Sequence, residues 1–247
     1  MLFVHGFPES SYMWRGALGV AAEAGRRAIA PDLLGYGDSE PDPPATWERQ
    51  LEALGELVDE LGLERVALVV HDWGGLIGLR WACEHPDRPS ALLISDSGFF
   101  PDGVWHGLAE VIRTPGEGEK LLEGLTRESF GELIRAAGSF PDDAIDEYWK
   151  AFATPAARGG LLEMYRSGDF GKLAAYEGRL AALDVPTLIL WGEEDAFAPV
   201  AGAYRFRREI PHAELEVIEG AGHFIWNDRA GRCHEALTGF LGRTAHS

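Results

Sequence analysis

Short apolar runs alternate along the chain with stretches in which apolar residues recur at helical spacing. A continuous apolar run bounded by turn residues predicts a buried strand, and a repeat of three to four positions predicts a helix. The predicted strands are residues 2–4, 28–30, 66–70, 91–95, 185–190 and 215–218. The predicted helices outside the middle of the chain are residues 11–24, 47–61, 74–84 and 229–241.

This alternation predicts an α/β fold in which a mostly parallel sheet is flanked by helices on both faces. The rhythm changes over residues 99–180, where helical pieces are broken by prolines and no strand-like run occurs. We therefore expect residues 99–180 to form a helical lid inserted between two strands. Residues 1–98 and 181–247 are then expected to form the core.

The charge balance narrows the class of partner. The chain of 247 residues carries 22 Lys and Arg against 40 Asp and Glu, a formal net charge of −18. Such a surface repels nucleic-acid phosphates and anionic lipid headgroups. We therefore expect neither a nucleic-acid partner nor a membrane partner.

The sequence also bears on location and on metals. No apolar stretch reaches the length of a membrane span, and no basic segment leads an apolar one. Cys83 and Cys233 stand outside any CxxC or Cys/His cluster, so neither a zinc site nor a disulfide framework is expected. The sequence thus predicts a cytoplasmic protein without metal or cofactor, and it leaves the oligomeric state open.

The segment "VVHDWGG", residues 69–75, places Asp72 on a tight bend between a predicted strand and a predicted helix. Glycines at positions 74 and 75 allow the sharp turn and a close approach of the helix. In parallel sheets, chemistry gathers at the carboxyl ends of strands, and a nucleophile sits on such an elbow in the G-x-S-x-G motif. The alternative is that Asp72 only caps the following helix.

Two further candidates follow later strands. "LWGEEDAFAP" places Asp195 after the strand that ends at residue 190, and "GAGHFIW" places His223 after the strand that ends at residue 218. The chain order of nucleophile, acid and histidine is that of the α/β-hydrolases. Asp96, which directly follows another strand, is the alternative acid.

The segments "HGFPESSYMWR", "APDLLGYGDSE", "VVHDWGG", "LILWGEEDAFAP" and "GAGHF" occur in this order over nearly the whole chain. On these segments the chain resembles the aspartate-nucleophile branch of the α/β-hydrolase superfamily, which contains epoxide hydrolases, haloalkane dehalogenases and fluoroacetate dehalogenases. The family usually carries two strands before "LFVHG", so the sequence leaves open whether the N-terminus is truncated or the sheet is short by one edge.

The resemblance implies a role for each residue. Asp72 would attack an sp³ carbon to give an alkyl-enzyme ester, His223 would activate water as a general base, and Asp195 would orient the imidazole. The backbone N–H groups of Phe7 and Trp73 would form the oxyanion hole. His5 and His71 are expected to pack or to form hydrogen bonds rather than to catalyse.

The leaving group is not fixed by these residues. Tyr165, in "LLEMYRSGDF", resembles the lid tyrosine that protonates an opening epoxide, whereas Trp105, in "DGVWHGLAEVIRTP", resembles a lid tryptophan that binds halide together with Trp73. A second lid tyrosine is not apparent, because Trp105 and His106 stand in that stretch. Phe7, in "HGFP", matches the epoxide-hydrolase form, since haloalkane dehalogenases generally carry Asn or Glu there.

We therefore expect an epoxide hydrolase that acts on a small apolar organic substrate and water. The alternative is a haloalkane or haloacid dehalogenase, and an ester or lactone hydrolase or a non-catalytic binding protein is less favoured. Aromatic side chains that include Trp73, Phe99 and Phe197 are expected to line an apolar pocket.

Overall fold

A single parallel sheet of five strands forms the centre of the protein, as seen in a computed structural model that describes residues 1–244. The strands lie side by side in the order of the chain. Their bounds are β1 Leu2–Val4, β2 Val66–His71, β3 Pro89–Ser95, β4 Thr187–Gly192 and β5 Glu214–Ile218. Because all five run in the same direction, their carboxyl ends meet at one edge, where chemistry is expected in such sheets.

Helices flank this sheet and confirm the predicted α/β class. Their bounds are α1 Arg15–Glu23, α2 Trp47–Glu60, α3 Trp73–Glu84, α4 Gly107–Arg113, α5 Glu117–Gly124, α6 Arg127–Arg135, α7 Asp142–Ala153, α8 Pro155–Ser167, α9 Arg179–Ala182, α10 Ala201–Glu209, α11 Ile225–Asp228 and α12 Ala230–Thr244. Helix α1 packs against α12, and α2 packs against α3. The strands of the centre are buried on both faces, which explains why they are continuously apolar.

Helix α2 illustrates how the sequence determines where a helix begins and which of its faces is buried. The side chain of Thr46 caps its N-terminus by accepting a hydrogen bond from the Arg49 N–H (3.2 Å). Leu51, Leu54 and Val58 recur at helical spacing and are buried, so the apolar stripe faces the core.

Two predicted elements differ from the structure. Residues 28–30 do not form a strand: Ile29 makes one isolated bridge to Leu2 at the outer edge of β1, and Pro31 ends the run. The predicted helix 11–24 is divided into a 3₁₀ turn, Ser11–Trp14, and the α-helix Arg15–Glu23.

The segment between β3 and β4 contains helices α4 to α9 and a 3₁₀ stretch, Phe170–Tyr176, with no strand among its residues. Helix α8 ties the segment to the core, because Glu163 accepts a hydrogen bond from the Ala45 N–H (2.7 Å) and Ser167 from the Trp47 N–H (2.8 Å). These helices lie where the lid is expected, and the lid boundaries at residues 99 and 180 stay a prediction.

Within residues 1–244, none of the helices is both long and apolar enough to cross a membrane. Cys83 and Cys233 are buried free thiols.

Candidate active site

Asp72 lies on a strained turn between β2 and α3. Its backbone has φ +49° and ψ −123°, a conformation that side-chain-bearing residues rarely adopt. A Cβ atom on Gly74 would lie 2.1 Å from the carbonyl oxygen of Val4, and one on Gly75 would lie 2.0 Å from Oγ of Ser97. The two glycines therefore let the start of α3 approach β1 and the loop after β3 closely.

The carboxylate of Asp72 does not cap α3, which removes the alternative interpretation of this residue. Instead, Oδ1 accepts a hydrogen bond from the Phe7 N–H (2.7 Å), and Oδ2 lies 3.5 Å from Nε2 of His223. Trp73 begins α3, so its N–H belongs to the first helical turn, whose N–H groups lack partners within the helix. Of the two N–H groups predicted for the oxyanion hole, that of Phe7 donates to the Asp72 carboxylate, and that of Trp73 belongs to the next residue in the chain.

His223 links the two predicted carboxylates. Its Nδ1 lies 2.8 Å from Oδ2 of Asp195. The other oxygen of Asp195 accepts hydrogen bonds from the N–H groups of Phe197 (2.7 Å) and Ala198 (2.8 Å). These bonds fix the imidazole with Nε2 directed toward Asp72. The Asp72 side chain is 23% exposed, whereas the side chains of Asp195 and His223 are buried.

Asp96, the alternative acid, lies beside Asp195 but forms a different hydrogen bond, because its Oδ1 accepts from the Gly192 N–H (2.9 Å). Burial and the charge of Asp195 raise the pKa of Asp96 well above its ordinary value, so Asp96 stays protonated. Asp96, Asp195 and His223 offer ligand atoms within 4.8 Å of one another. Asp195 and His223 already bind each other and Asp96 accepts from backbone through Oδ1, so the cluster fits a proton-handling site better than a cation site.

The charges of the site stabilise one another. Burial alone would raise the pKa of Asp72, but the hydrogen bond and charge of His223 hold this pKa below its ordinary value. Burial alone would lower the pKa of His223, but the charges of Asp195 and Asp72 raise this pKa well above its ordinary value. The resting site therefore contains an imidazolium between two carboxylates, and loss of the Asp72 charge would lower the pKa of His223, so that the imidazole can lose its proton and become available as a base.

Tyr165, on α8, is fully buried above Asp72. Its ring lies edge-on to Phe7 (centroids 5.3 Å apart) and to Trp73 (5.1 Å). Burial, followed by the negative charge of Asp72, raises the pKa of Tyr165 well above its ordinary value, and a contact with the Trp73 indole acts in the opposite direction. The phenol therefore stays protonated, as a hydrogen donor must be.

Trp105, the other predicted leaving-group residue, stacks on Trp73 with ring centroids 5.5 Å apart and an interplanar angle of 27°. Arg113 lies over the Trp105 ring, with its guanidinium carbon 4.7 Å from the centroid. The same guanidinium donates hydrogen bonds to the backbone carbonyls of Tyr165 and Gly168. One arginine thus holds both leaving-group candidates in place.

Two cavities open on Asp72. The first, of about 360 Å³, contains Asp72, Tyr165 and His223 among its lining residues. The second, of about 470 Å³, contains Asp72 and the tryptophans Trp73 and Trp105. Of the predicted pocket residues, Phe197 lines both cavities, whereas Trp73 and Phe99 line only the second.

His106 is a site residue to which the sequence analysis assigned no role. It lines both cavities, and its ring lies edge-on to Phe197 with centroids 5.0 Å apart. Its Nδ1 accepts a hydrogen bond from the Ala109 N–H (3.4 Å) at the start of α4, which leaves the proton on Nε2. Burial lowers the pKa of His106, so it is a neutral donor. In the sequence, His106 could have been found as a polar residue that directly follows Trp105 and caps the next helix.

A buried acid and a buried histidine lie behind His223. Nε2 of His71 is 3.4 Å from Oε2 of Glu9, and the rings of His71 and His223 have centroids 4.8 Å apart. Asn227 donates a hydrogen bond to Oε1 of Glu9 (2.7 Å). His5 binds backbone as expected, since its Nε2 accepts from the Leu33 N–H (2.9 Å). His71 therefore packs against His223 and lies beside Glu9, and His5 forms a hydrogen bond to backbone.

Comparison with known proteins places this geometry in a family. Residues 1–229 match the family described as alpha/beta hydrolase fold. A haloalkane dehalogenase of Mesorhizobium japonicum is 28% identical and aligns with 98% of this chain and 84% of its own length. Epoxide hydrolase 3 of Siraitia grosvenorii is 29% identical and aligns with 98% of this chain and 92% of its own length.

Solved structures agree with this assignment. Haloalkane dehalogenase DbeA from Bradyrhizobium elkani superposes with a TM-score of 0.86 at 26% identity, over 100% of this chain and 91% of that one. The relatives thus include both chemistries considered from the sequence. The chain belongs to the α/β-hydrolase family, and within it to the branch of hydrolases that carry an aspartate nucleophile.

Proposed function

We propose that the protein is an epoxide hydrolase, which converts an epoxide and water into a vicinal diol. One observation carries the proposal: the protonated phenol of Tyr165 is buried in the same cavity as Asp72 and His223. An epoxide needs such a donor because its leaving oxygen remains attached to the substrate as an alkoxide. Two buried, unbridged cysteines support the cytoplasm as the site of this reaction.

The first step forms the ester. Oδ2 of Asp72 attacks an epoxide carbon from the side opposite to the C–O bond that breaks, and the ring oxygen takes the proton of Tyr165. His106 offers a second N–H in the same cavity, where the sequence lacks a second tyrosine. The product of this step is a hydroxyalkyl ester of Asp72. Its formation removes the charge that helps to keep His223 protonated.

The second step cleaves the ester. His223, having returned a proton to the Tyr165 phenolate through solvent, takes a proton from water, and the hydroxide attacks the carbonyl carbon of Asp72. The N–H groups of Phe7 and Trp73 stabilise the oxyanion, and Asp195 stabilises the imidazolium. Collapse returns a proton to the departing alkoxide, releases the diol and restores the Asp72 carboxylate.

Dehalogenation is the second candidate, and the stacked pair of Trp73 and Trp105 favours it. Both indoles line the second cavity beside Asp72, and an indole N–H is a suitable donor to a departing halide. The nucleophile, the base and the oxyanion donors would act in the same way on an alkyl halide.

A paired assay tests the proposal. Wild-type protein and Asp72→Asn are incubated with styrene oxide and, separately, with 1-bromobutane, while diol and bromide are measured. We expect diol formation that depends on Asp72, with little bromide release. Bromide release without diol would establish the dehalogenase instead. Turnover of either substrate by Asp72→Asn at the wild-type rate would overturn the covalent mechanism.

A further inference from the structure

The peptide unit between Asp72 and Trp73 carries two groups that matter to the proposed mechanism. Its N–H, from Trp73, is one of the two proposed oxyanion donors, and its carbonyl belongs to the residue that attacks the substrate. This peptide is trans. In a trans peptide the C=O and N–H bonds lie in one plane and point in opposite directions. A contact that fixes the Asp72 carbonyl therefore also fixes the direction of the Trp73 N–H.

Ser97 holds this carbonyl from outside the helix. Its Oγ donates a hydrogen bond to the carbonyl oxygen of Asp72 (2.7 Å). The N–H groups of Gly75 (2.9 Å) and Leu76 (3.4 Å) donate to the same oxygen from the first turn of α3. The Ser97 bond is the shortest of the three, and Ser97 is buried, so solvent competes little with it.

The chain after β3 places this hydroxyl against the elbow. Asp96 has φ +44°, a left-handed conformation that non-glycine residues rarely adopt and that persists only where its surroundings enforce it. Ser97 follows directly and fits because residue 75 is a glycine, where a Cβ would lie 2.0 Å from Ser97 Oγ. The Asp72 N–H donates to the Ser95 carbonyl (3.3 Å). The end of β3 and the residues after it thus hold Asp72 on both sides.

We propose that Ser97 is a positioning residue for ester hydrolysis, whose hydroxyl fixes and polarises the Asp72–Trp73 peptide so that the Trp73 N–H stabilises the oxyanion. When hydroxide attacks the ester carbonyl of Asp72, an electron pair moves onto the carbonyl oxygen, and the Trp73 N–H meets this charge. A hydrogen bond accepted by the C=O of a peptide strengthens the donation from its N–H. The inference rests on the proposed covalent mechanism, and it applies equally to an epoxide and to an alkyl halide because both give an ester.

The contribution of Ser97 belongs to one step. Ester formation moves negative charge from Asp72 to the leaving group, whereas ester hydrolysis creates a new oxyanion on Asp72. An oxyanion donor contributes about 10²–10³-fold to the rate, and cooperative strengthening amounts to about 10–30% of a hydrogen bond. Loss of the Ser97 bond is therefore expected to slow ester hydrolysis about two- to eightfold and to leave ester formation unchanged.

Single-turnover kinetics of Ser97→Ala separates the two steps. Excess enzyme is mixed with styrene oxide or with 1-bromobutane, and the ester on the protein is followed by rapid quench and intact-protein mass spectrometry. We expect ester formation at the wild-type rate and ester decay that is slower by about two- to eightfold, so that ester accumulates. Unchanged decay, or equal slowing of both steps, would overturn the role of Ser97.

Thr187→Val is the matched control. The Thr187 hydroxyl is buried at the start of β4, donates to the carbonyl of Val185 (2.9 Å) and lies outside the linings of both cavities. Valine has nearly the same shape, so this variant also loses one buried hydroxyl–carbonyl hydrogen bond. Both variants should lower the urea midpoint to a similar extent, but only Ser97→Ala should slow ester decay. The same slowing in Thr187→Val would indicate a general loss of stability and contradict the proposal.

A spectroscopic measurement tests the peptide itself without substrate. The chain contains one Asp-Trp dipeptide, residues 72–73, so protein labelled with carbonyl-¹³C Asp and ¹⁵N Trp gives a single correlation between directly bonded ¹³C and ¹⁵N nuclei. Loss of the hydrogen bond to the carbonyl should move both resonances upfield in Ser97→Ala and leave them in place in Thr187→Val. Resonances that do not move in Ser97→Ala would show that its hydroxyl does not polarise this peptide.

Failure of this inference is distinguishable from failure of the proposed function. If an ester forms and decays equally fast in the wild type and in Ser97→Ala, the covalent mechanism stands and the role of Ser97 is wrong. If neither substrate gives an ester in the wild type or in His223→Gln, the covalent mechanism is wrong and the role of Ser97 is overturned with it.

Discussion

Nε2 of His71 lies 3.4 Å from Oε2 of Glu9, and neither side chain is exposed to solvent. Burial raises the pKa of Glu9 to about 8 and lowers the pKa of His71 to about 3. At neutral pH the pair is therefore an uncharged acid beside an uncharged imidazole. This neutral pair keeps additional charge away from His223, which already lies between two carboxylates.

Glu9→Gln is expected to change how stability depends on pH. Between about pH 4.5, the ordinary pKa of a glutamate, and pH 8, the unfolded chain loses the Glu9 proton while the folded protein keeps it. The free energy of unfolding of the wild type therefore falls as pH rises through this window, by up to about 1.4 kcal/mol per pH unit. A glutamine at position 9 resembles the protonated acid but cannot ionise, so the free energy of unfolding of the variant does not fall for this reason.

Urea unfolding of both proteins at pH 5.5, 6.5, 7.5 and 8.5 measures this effect. The difference in unfolding free energy, Gln variant minus wild type, should grow up to about pH 8 and then level off. A difference that is constant with pH would show that Glu9 is ionised in the folded protein.

His223→Gln is expected to trap the ester. Asp72 keeps its hydrogen bond from Phe7 and can still attack, but the imidazole that lies 3.5 Å from its carboxylate and would activate water is gone. Intact-protein mass spectrometry should show an adduct of one substrate mass that does not decay over many turnover times. Asp195→Asn should slow the same decay without stopping it, because it weakens the orientation of the imidazole. Normal turnover by His223→Gln would place the base elsewhere.

Tyr165→Phe is expected to separate the two leaving groups. It removes the donor and retains the ring that contacts Phe7 and Trp73, so thermal stability should hardly change. Loss of a general acid slows epoxide opening by about 10²–10⁴-fold. Trp105→Phe is the mirror experiment, since it removes an indole N–H and keeps an aromatic ring on Trp73. The effects of both substitutions are measured as the rate of ester formation in a single turnover.

The opposite pattern would contradict the epoxide assignment. A large loss of bromide release in Trp105→Phe, with diol formation unchanged in Tyr165→Phe, would identify the dehalogenase.

Gly74→Ala is expected to destabilise the elbow. The new Cβ would lie 2.1 Å from the Val4 carbonyl oxygen, so β1 and α3 must separate at a cost of about 1–3 kcal/mol. Gly19→Ala is the matched control, because a Cβ there meets no atom within 4 Å and Gly19 lies inside α1. That variant should gain about 0.5–1 kcal/mol of helix stability. Urea unfolding compares the two, and equal effects would refute the close approach at Gly74.

The sequence predicted the parts of the site that follow strands. Asp72 directly follows β2, and Asp195 and His223 come shortly after β4 and β5, so topology alone brings the three to one edge. The structure places His223 within hydrogen-bonding or ion-pair distance of both carboxylates. Their catalytic roles stay predictions. The α/β class followed from the same alternation and is confirmed.

Other residues could not be assigned to the site from the sequence alone. Glu9 meets Asn227 across 218 positions of the chain, and its burial depends on packing that no periodicity reveals. His106 reaches the site because the segment between β3 and β4 folds back over the sheet edge. The strand predicted at residues 28–30 failed because only one residue at the sheet edge finds a partner.

Arg113 contacts both of the residues proposed to assist the leaving group. Its guanidinium holds the backbone of Tyr165 and the ring of Trp105 at once, so the donor suited to an alkoxide and the donor suited to a halide share one support. A substitution that removes either donor leaves that support intact and the other donor in position. Substitution of either donor is therefore expected to affect one of the two candidate reactions alone, whereas substitution of Arg113 is expected to impair both.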